Sequence, residues 1–238
     1  MYKLRLREDR GKTLTDWLKS AHTFSFAQYF DPFNMGFSDL RVINDDIVAP
    51  SSGFEQHAHA NMEIVTIVLE GAIEHRDSLG NETILNAGAI QAMTTGTGIL
   101  HSEYNPSVNE RAHILQIWVL PDRKNLSPEY SQKYFPEEEM KNELRLVVSK
   151  YGKKGSLKIH QDVLLYRSIL EADKTIIYEL SDNRKFWLQV ARGAVEVNSS
   201  ILEAGDGISF VDESGYLEIS GVDLESDFLL FCLRNLTI

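Results

Sequence analysis

Two short pairs of residues carry the chemistry this sequence offers. His57 and His59 stand two apart after Gly53, and His101 and Glu103 stand two apart after Gly96-Thr97-Gly98. Residues i and i+2 of a strand point to the same face. Each pair can therefore aim two donors into one barrel interior from adjacent strands. Three imidazoles and a carboxylate suit a divalent transition metal and leave positions open for water, O2 or a substrate. A lone His-x-His often arises by chance, but a second pair between glycine turns in the same half of the chain favours a metal centre. Glu63 competes for the fourth position. It shares parity with His57 and His59, so it is expected to face the same interior, either as a ligand or as an acceptor orienting an imidazole N–H. Spacing leaves both roles open.

The elements that must position these donors read as short strands. Glu63, Val65, Ile67 and Leu69 alternate with Ile64, Thr66, Val68 and Glu70, and further runs cover 112–120, 144–149, 157–160, 175–180, 186–190, 208–211 and 228–233. Turn signals such as Leu79-Gly80-Asn81 and Asn86-Ala87-Gly88 separate them. Many short strands at regular spacing predict sandwiches or barrels. Helical signals are few: Ser127-Pro128-Glu129 predicts one or two turns with a serine N-cap, and 136–141 is a second candidate. VLEGAIEHRDSLGNETILNAGAIQAM (68–93) lines up with VARGAVEVNSSILEAGDGISF (190–210) as a weak internal repeat. The reading is all-β, with two tandem domains at 1–132 and 133–238.

Composition removes other classes. The 238 residues are 43% hydrophobic and 25% charged, an ordinary globular balance, and the net charge of −11 disfavours nucleic acid. The longest apolar runs, IVTIVL (64–69) and FLLFCL (228–233), fall far short of the roughly 20 residues a bilayer helix needs. The N-terminus lacks a signal-peptide pattern. Cys232 cannot form an internal disulfide and is expected as a buried thiol, which suits the cytoplasm. There is no GxSxG, and TTGTGIL (94–100) is neither a Walker loop nor a dinucleotide fingerprint.

The stretch GFEQHAHANMEIVTIVLEG (53–71) resembles the first cupin motif and GAIQAMTTGTGILHSEYNPS (88–107) the second. Together with WLKSAHTFSFAQYFDP (17–32), RVINDD (41–46), LQIWVLP (115–121), YSQKYFP (130–136) and LKIHQD (157–162), they resemble the pirin family along nearly the whole chain. Ala58 departs from the proline that many pirins place between the two histidines. The resemblance implies a bicupin, two jelly-roll β-barrels packed face to face, with metal in the N-terminal one only. It implies His57, His59, His101 and Glu103 as ligands and Fe(II) as the metal; Mn, Ni, Co, Cu or Zn also suit such donors.

Aligning Gly193 with Gly71 and Gly205 with Gly88 puts Glu179, Ser181 and Glu218 at the histidine places, so the second barrel is expected to be metal-free. Of the other histidines, His22 is expected as a packed, hydrogen-bonded residue, His75 as a solvated or salt-linked hairpin residue, and His113 as buried without a paired donor. His160 is expected in the ligand-free half. Phe24, Phe26, Phe33 and Phe37 could wall an aromatic pocket but are more simply core.

The implied activity is a metal-dependent dioxygenase that opens a flavonol such as quercetin with O2 and releases carbon monoxide. Glu103 would take the proton of the substrate's 3-hydroxyl as general base. The alternative is a non-catalytic metal- and redox-sensing interaction protein, and a third reading keeps the enzyme but changes its native substrate. The partners expected are a small aromatic substrate and O2, with no direct nucleic acid, no membrane and a monomeric chain.

Overall fold

The computed structural model describes residues 1–235, which form two compact units. One comprises residues 11–135 and 157–161; the other comprises 1–10, 136–156 and 162 onward. In chain order the strands begin with β1 (Tyr2–Arg5), β2 (Gly11–Leu14), β3 (Leu18–His22), β4 (Leu40–Val48), β5 (Gly53–His59) and β6 (Glu63–Glu70). Then come β7 (Ala72–Asp77), β8 (Glu82–Asn86), β9 (Ala89–Thr94), β10 (Ile99–Tyr104), β11 (Ala112–Val119) and β12 (Glu129–Tyr134). The later strands are β13 (Arg145–Ser149), β14 (Leu157–Lys158), β15 (Leu164–Glu171), β16 (Thr175–Leu180) and β17 (Arg184–Arg192). The last are β18 (Ala194–Val197), β19 (Ser200–Glu203), β20 (Gly207–Phe210), β21 (Gly215–Gly221) and β22 (Glu225–Arg234).

In the first unit one sheet runs β12-β9-β6-β11-β4-β3-β2 and a second runs β5-β10-β7-β8. Val68, Ile73, Leu85 and Ile114 pack in one core, so strands of both sheets close over it. β6 is buried along almost its whole length, which explains why IVTIVL reads as a continuous apolar run. The other unit repeats the plan: β20-β17-β22-β15 take the places of β9-β6-β11-β4, and β16-β21-β18-β19 the places of β5-β10-β7-β8. Its core is one cluster that includes Phe186, Leu188, Ile208, Leu217, Phe228 and Leu230.

The repeat read from the sequence is a repeat in space. Gly71 and Gly193 both adopt a left-handed φ, +69° and +68°. A Cβ on Gly71 would lie 2.7 Å from the Arg111 carbonyl oxygen, and one on Gly193 would lie 2.5 Å from that of Glu225. Only glycine makes this turn against the neighbouring strand.

The helix expected after Ser127 is strand β12, which pairs antiparallel with β9 from Glu129 opposite Thr94 to Tyr134 opposite Ala89. The capping signal is local, and pairing with the free edge of β9 overrides it. Pro128, lacking an N–H, precedes the strand, where that loss is tolerated. The 136–141 candidate is a single 3-10 turn at Glu137–Glu139.

Candidate metal centre

β5 ends on Gln56-His57-Ala58-His59, and β10 runs antiparallel beside it with His101 opposite His57. The register shifts between His101 and Glu103 on that side. On its other edge β10 pairs with β7, placing Glu103 opposite His75 and His101 opposite Asp77. The ring centroids lie 4.7 Å apart for His57–His59, 4.4 Å for His57–His101 and 5.0 Å for His59–His101. One nitrogen from each ring lies within 4.8 Å of the others. Two donors on one ion at metal–nitrogen distances of about 2.0–2.1 Å can stand up to about 4 Å apart, so the rings need only a small approach.

The donors are held in the ligand form. His57 Nδ1–H donates to the Glu55 carbonyl at 2.7 Å, which leaves the lone pair on Nε2. His59 Nε2 and both nitrogens of His101 are buried without a hydrogen-bond partner. Burial, then the charge His101 and His57 would share with it, pushes His59 down to about 4. Burial, then His57 and His75, takes His101 to about 3. A buried polar atom left unpaired costs about 1–3 kcal/mol, and a cation is the partner these neutral lone pairs suit. The residues therefore fit a divalent metal.

Glu103 is fully buried and accepts hydrogen bonds from Gln91 Nε2 at 2.6 Å, Gln116 Nε2 at 2.6 Å and Thr66 Oγ1 at 3.3 Å. Its carboxylate groups with His101 and His75, within 4.8 Å, rather than with His57 and His59. Glu63 corrects an expectation. It lies outside both donor groups, and its Oε2 accepts from Thr94 Oγ1 at 2.7 Å. Asn61, with φ +55°, turns the chain between β5 and β6, so parity does not carry across. Burial pushes the Glu63 carboxyl up to about 7, against hydrogen bonds from Thr94 and the His160 backbone.

His75 also departs from expectation. It has the salt-linked partner, Asp77 Oδ2 at 3.0 Å, but it is fully buried and its ring stacks on Tyr130 at 4.5 Å. His113 is half-buried rather than buried, bonds Asp45 at 2.7 Å on the neighbouring strand, and belongs to neither donor group. His160 groups with residues 11–135 and bonds Glu129. His22 is buried and bonded to Thr13 and Asn44, as its sequence context suggests.

A cavity of about 720 Å³ opens beside His57 and His59. Trp17, Phe26, Phe54 and Trp118 supply aromatic wall, while Asp46, Gln116 and His22 supply polar groups. Of the four phenylalanines considered, only Phe26 lines it; Phe24 is core and Phe33 is 86% exposed. Sequence reasoning missed Asp46, Gln116, Trp17, Phe54 and Trp118. The available signal was Asn44, Asp46 and Gln116 on the even-numbered faces of β4 and β11, which are otherwise apolar with Val42, Val48, Ala112, Ile114 and Trp118. Asp46 Oδ1 is buried and unpartnered, and burial pushes this carboxyl up to about 7 despite a hydrogen bond with Ser20, with Asp45 and Glu103 adding to the rise.

A family model described as Pirin matches residues 3–119. A quercetin 2,3-dioxygenase of Escherichia coli (strain K12) is 46% identical over 233 residues, covering 98% of this chain and 99% of its own. The chain belongs to the pirin family. A second family model, described as Quercetinase C-terminal cupin domain, matches residues 146–233 of this pirin. The crystal structure of YhhW from Escherichia coli superimposes with a TM-score of 0.94 at 44% identity, covering all of both chains. The bacterial pirin YhhW in complex with nickel(II) gives 0.93 at 44% identity, over 98% of this chain and 99% of that one. The pirin fold seen here is thus a pair of cupin-type barrels. No helix among its described residues is long and apolar enough to cross a membrane.

Proposed function

We propose that this pirin is a metal-dependent dioxygenase that cleaves a flavonol such as quercetin with O2 and releases carbon monoxide. The observation that carries this reading is the aromatic-walled cavity opening onto His57 and His59, next to neutral, unpartnered imidazoles. The quercetin 2,3-dioxygenase relative supports it at 46% identity. His57, His59, His101 and Glu103 would hold the ion, with Fe(II) first among metals that such donors accept. When bound, a divalent metal supplies Lewis acidity toward an ionised hydroxyl and an electron partner for O2.

The chain's own residues do the rest. Trp17, Phe26, Phe54 and Trp118 offer flat apolar faces to a planar ring system and exclude water from it. Gln91, Gln116 and Thr66 hold the Glu103 carboxylate in place. Glu103 stands behind the cavity lining rather than in it, and would act as general base toward a 3-hydroxyl brought to the ion. Asp46 is a second acceptor on a specific observation: it lines the cavity wall, and its free oxygen is buried there. We place the protein in the cytoplasm as a monomer that does not contact nucleic acid.

The test is quercetin loss with carbon monoxide release after anaerobic Fe(II) loading, for wild type beside His101→Ala. Turnover in wild type alone supports the reading. Metal bound with no turnover in oxygen moves the assignment to a different substrate or to the metal-sensing role.

A further inference from the structure

His75 lies outside the donor set considered so far, yet its surroundings are those of a ligand. It is fully buried on β7, directly across from Glu103, and its ring centroid stands 5.5 Å from that of His101. Its Nε2 faces Asp77 Oδ2 at 3.0 Å. The same carboxylate accepts from the backbone N–H of Leu79 at 2.9 Å, the backbone N–H of Asn81 at 3.1 Å and Asn81 Nδ2 at 2.9 Å. A carboxylate ringed by donors has no proton to offer, so the shared hydrogen belongs to His75 Nε2. A proton on Nδ1 would have no acceptor, because that atom is buried without a hydrogen-bond partner, so Nδ1 is the place for a lone pair. Tyr130, stacked on the ring with an 18° tilt, restrains its plane.

We propose that His75 is a metal donor through Nδ1, forming with His101 and Glu103 an inner position that shares those two residues with the His57–His59–His101–Glu103 set. One donor atom from each inner residue lies within 4.8 Å of the others, the same limit His57, His59 and His101 meet. The carboxylate–imidazole pair behind Nδ1 is the arrangement that fixes tautomer and raises basicity in metal-bound histidines. The two positions differ in access: His57 and His59 line the cavity, whereas none of His75, His101 and Glu103 does.

The test uses metal alone and does not depend on the dioxygenase reading. Co(II) is titrated anaerobically into metal-free full-length protein, wild type and His75→Gln. Glutamine can still donate to Asp77 from the Nε2 place but lacks a nitrogen at the Nδ1 place. The expected result is Co(II) binding weakened by about tenfold or more, with loss of one paramagnetically shifted, slowly exchanging imidazole N–H. Unchanged affinity with every shifted N–H retained overturns the proposal. Weaker binding with every shifted N–H retained also overturns it, since His75 would then only position Glu103. Should His75→Gln fail to fold, Zn(II) is added to wild type labelled with ¹⁵N-histidine. A metal-induced shift of the His75 Nδ1 resonance supports the inner position; its absence rejects it.

Discussion

Across from His75 on β7 stands Glu103 on β10; across from Val197 on β18, at the same place in the other unit, stands Ile219 on β21. His57 faces His101, and Tyr178 faces Leu217. Thr66, Gln91 and Gln116 form one row across β6, β9 and β11, where Leu188, Ile208 and Leu230 form the matching row. One strand order thus carries two interiors. In the C-terminal unit the row joins a large apolar core, which stabilises it by burial. In the N-terminal unit the row donates hydrogen bonds to a buried carboxylate. The lesson is that the cupin frame does not need a metal centre to close. The polar row is there for chemistry and costs apolar contact that the sibling keeps.

The largest effect should come from trading matched positions. His101→Ala is expected to abolish metal retention and lower turnover by at least about 10³-fold, the scale on which losing an essential group acts. Leu217→Ala should leave both intact while lowering unfolding stability by about 2–5 kcal/mol through its cavity. Metal analysis beside denaturant titration checks both, and metal loss in Leu217→Ala would break the comparison.

Next comes Glu103→Gln, expected to lose about 10²–10⁴-fold in turnover while keeping most of its metal, as for a general base. Steady-state kinetics with metal quantified per chain decides it. If turnover stays near wild type, the proton goes to Asp46, and Asp46→Asn should show the loss instead.

Importing the apolar row is the third probe. Gln91→Leu removes a donor from Glu103 and should lower turnover by about 10–100-fold. Its mirror image, Ile208→Gln, should destabilise the C-terminal unit without creating a metal site. Steady-state kinetics reads the first, and thermal unfolding reads the second.

The smallest effect concerns pH. Asp46 holds its proton to about pH 7 when folded, against an ordinary value of 3.8. The folded state therefore binds more protons between these limits, and stability must fall as pH rises through them. Metal-free wild type should lose about 2–3 kcal/mol between pH 5 and 8 from this group, at about 1.4 kcal/mol per pH unit. Asp46→Asn should remove that share, read by urea unfolding as the difference between its pH 5-to-8 change and wild type's, since Glu63 adds a like decline and His59 and His101 an opposite rise. Ser168, opposite Phe228 as Asp46 is opposite Ile114, marks the same place in the sibling. Ser168→Ala should leave the slope unchanged.

Much of this was legible in the residues. Alternation located β6, apolar runs located β16 and β22, and the repeat around Gly71 and Gly193 foretold two copies of one topology. The errors share a cause, which is parity. Glu63 was read into the interior because a turn at Asn61 is invisible to counting. Glu179, Ser181 and Glu218 were matched to the histidines, whereas strand register places Tyr178, Leu180 and Leu217 there. Glu179 and Glu218 point to solvent. A one-residue difference in a loop flips every side chain beyond it. The helix after Ser127 failed differently, since a capping signal carries no information about an unpaired strand edge nearby.

What the sequence determined by itself is what depends on near neighbours: strands, glycine turns, and which residues two apart share a face. Those facts already placed His57 with His59 and His101 with Glu103. The tertiary structure alone decided which strands lie side by side, and so which pairs meet. It brought β7 against β10, put His75 beside Glu103, and sent Glu63 elsewhere. It also set Trp17, Phe54, Asp46 and Trp118, from four separate strands or turns, around one cavity. Side-chain spacing along a strand is a property of the chain, but register between strands is settled by packing, where a shift of one residue exchanges inside for outside.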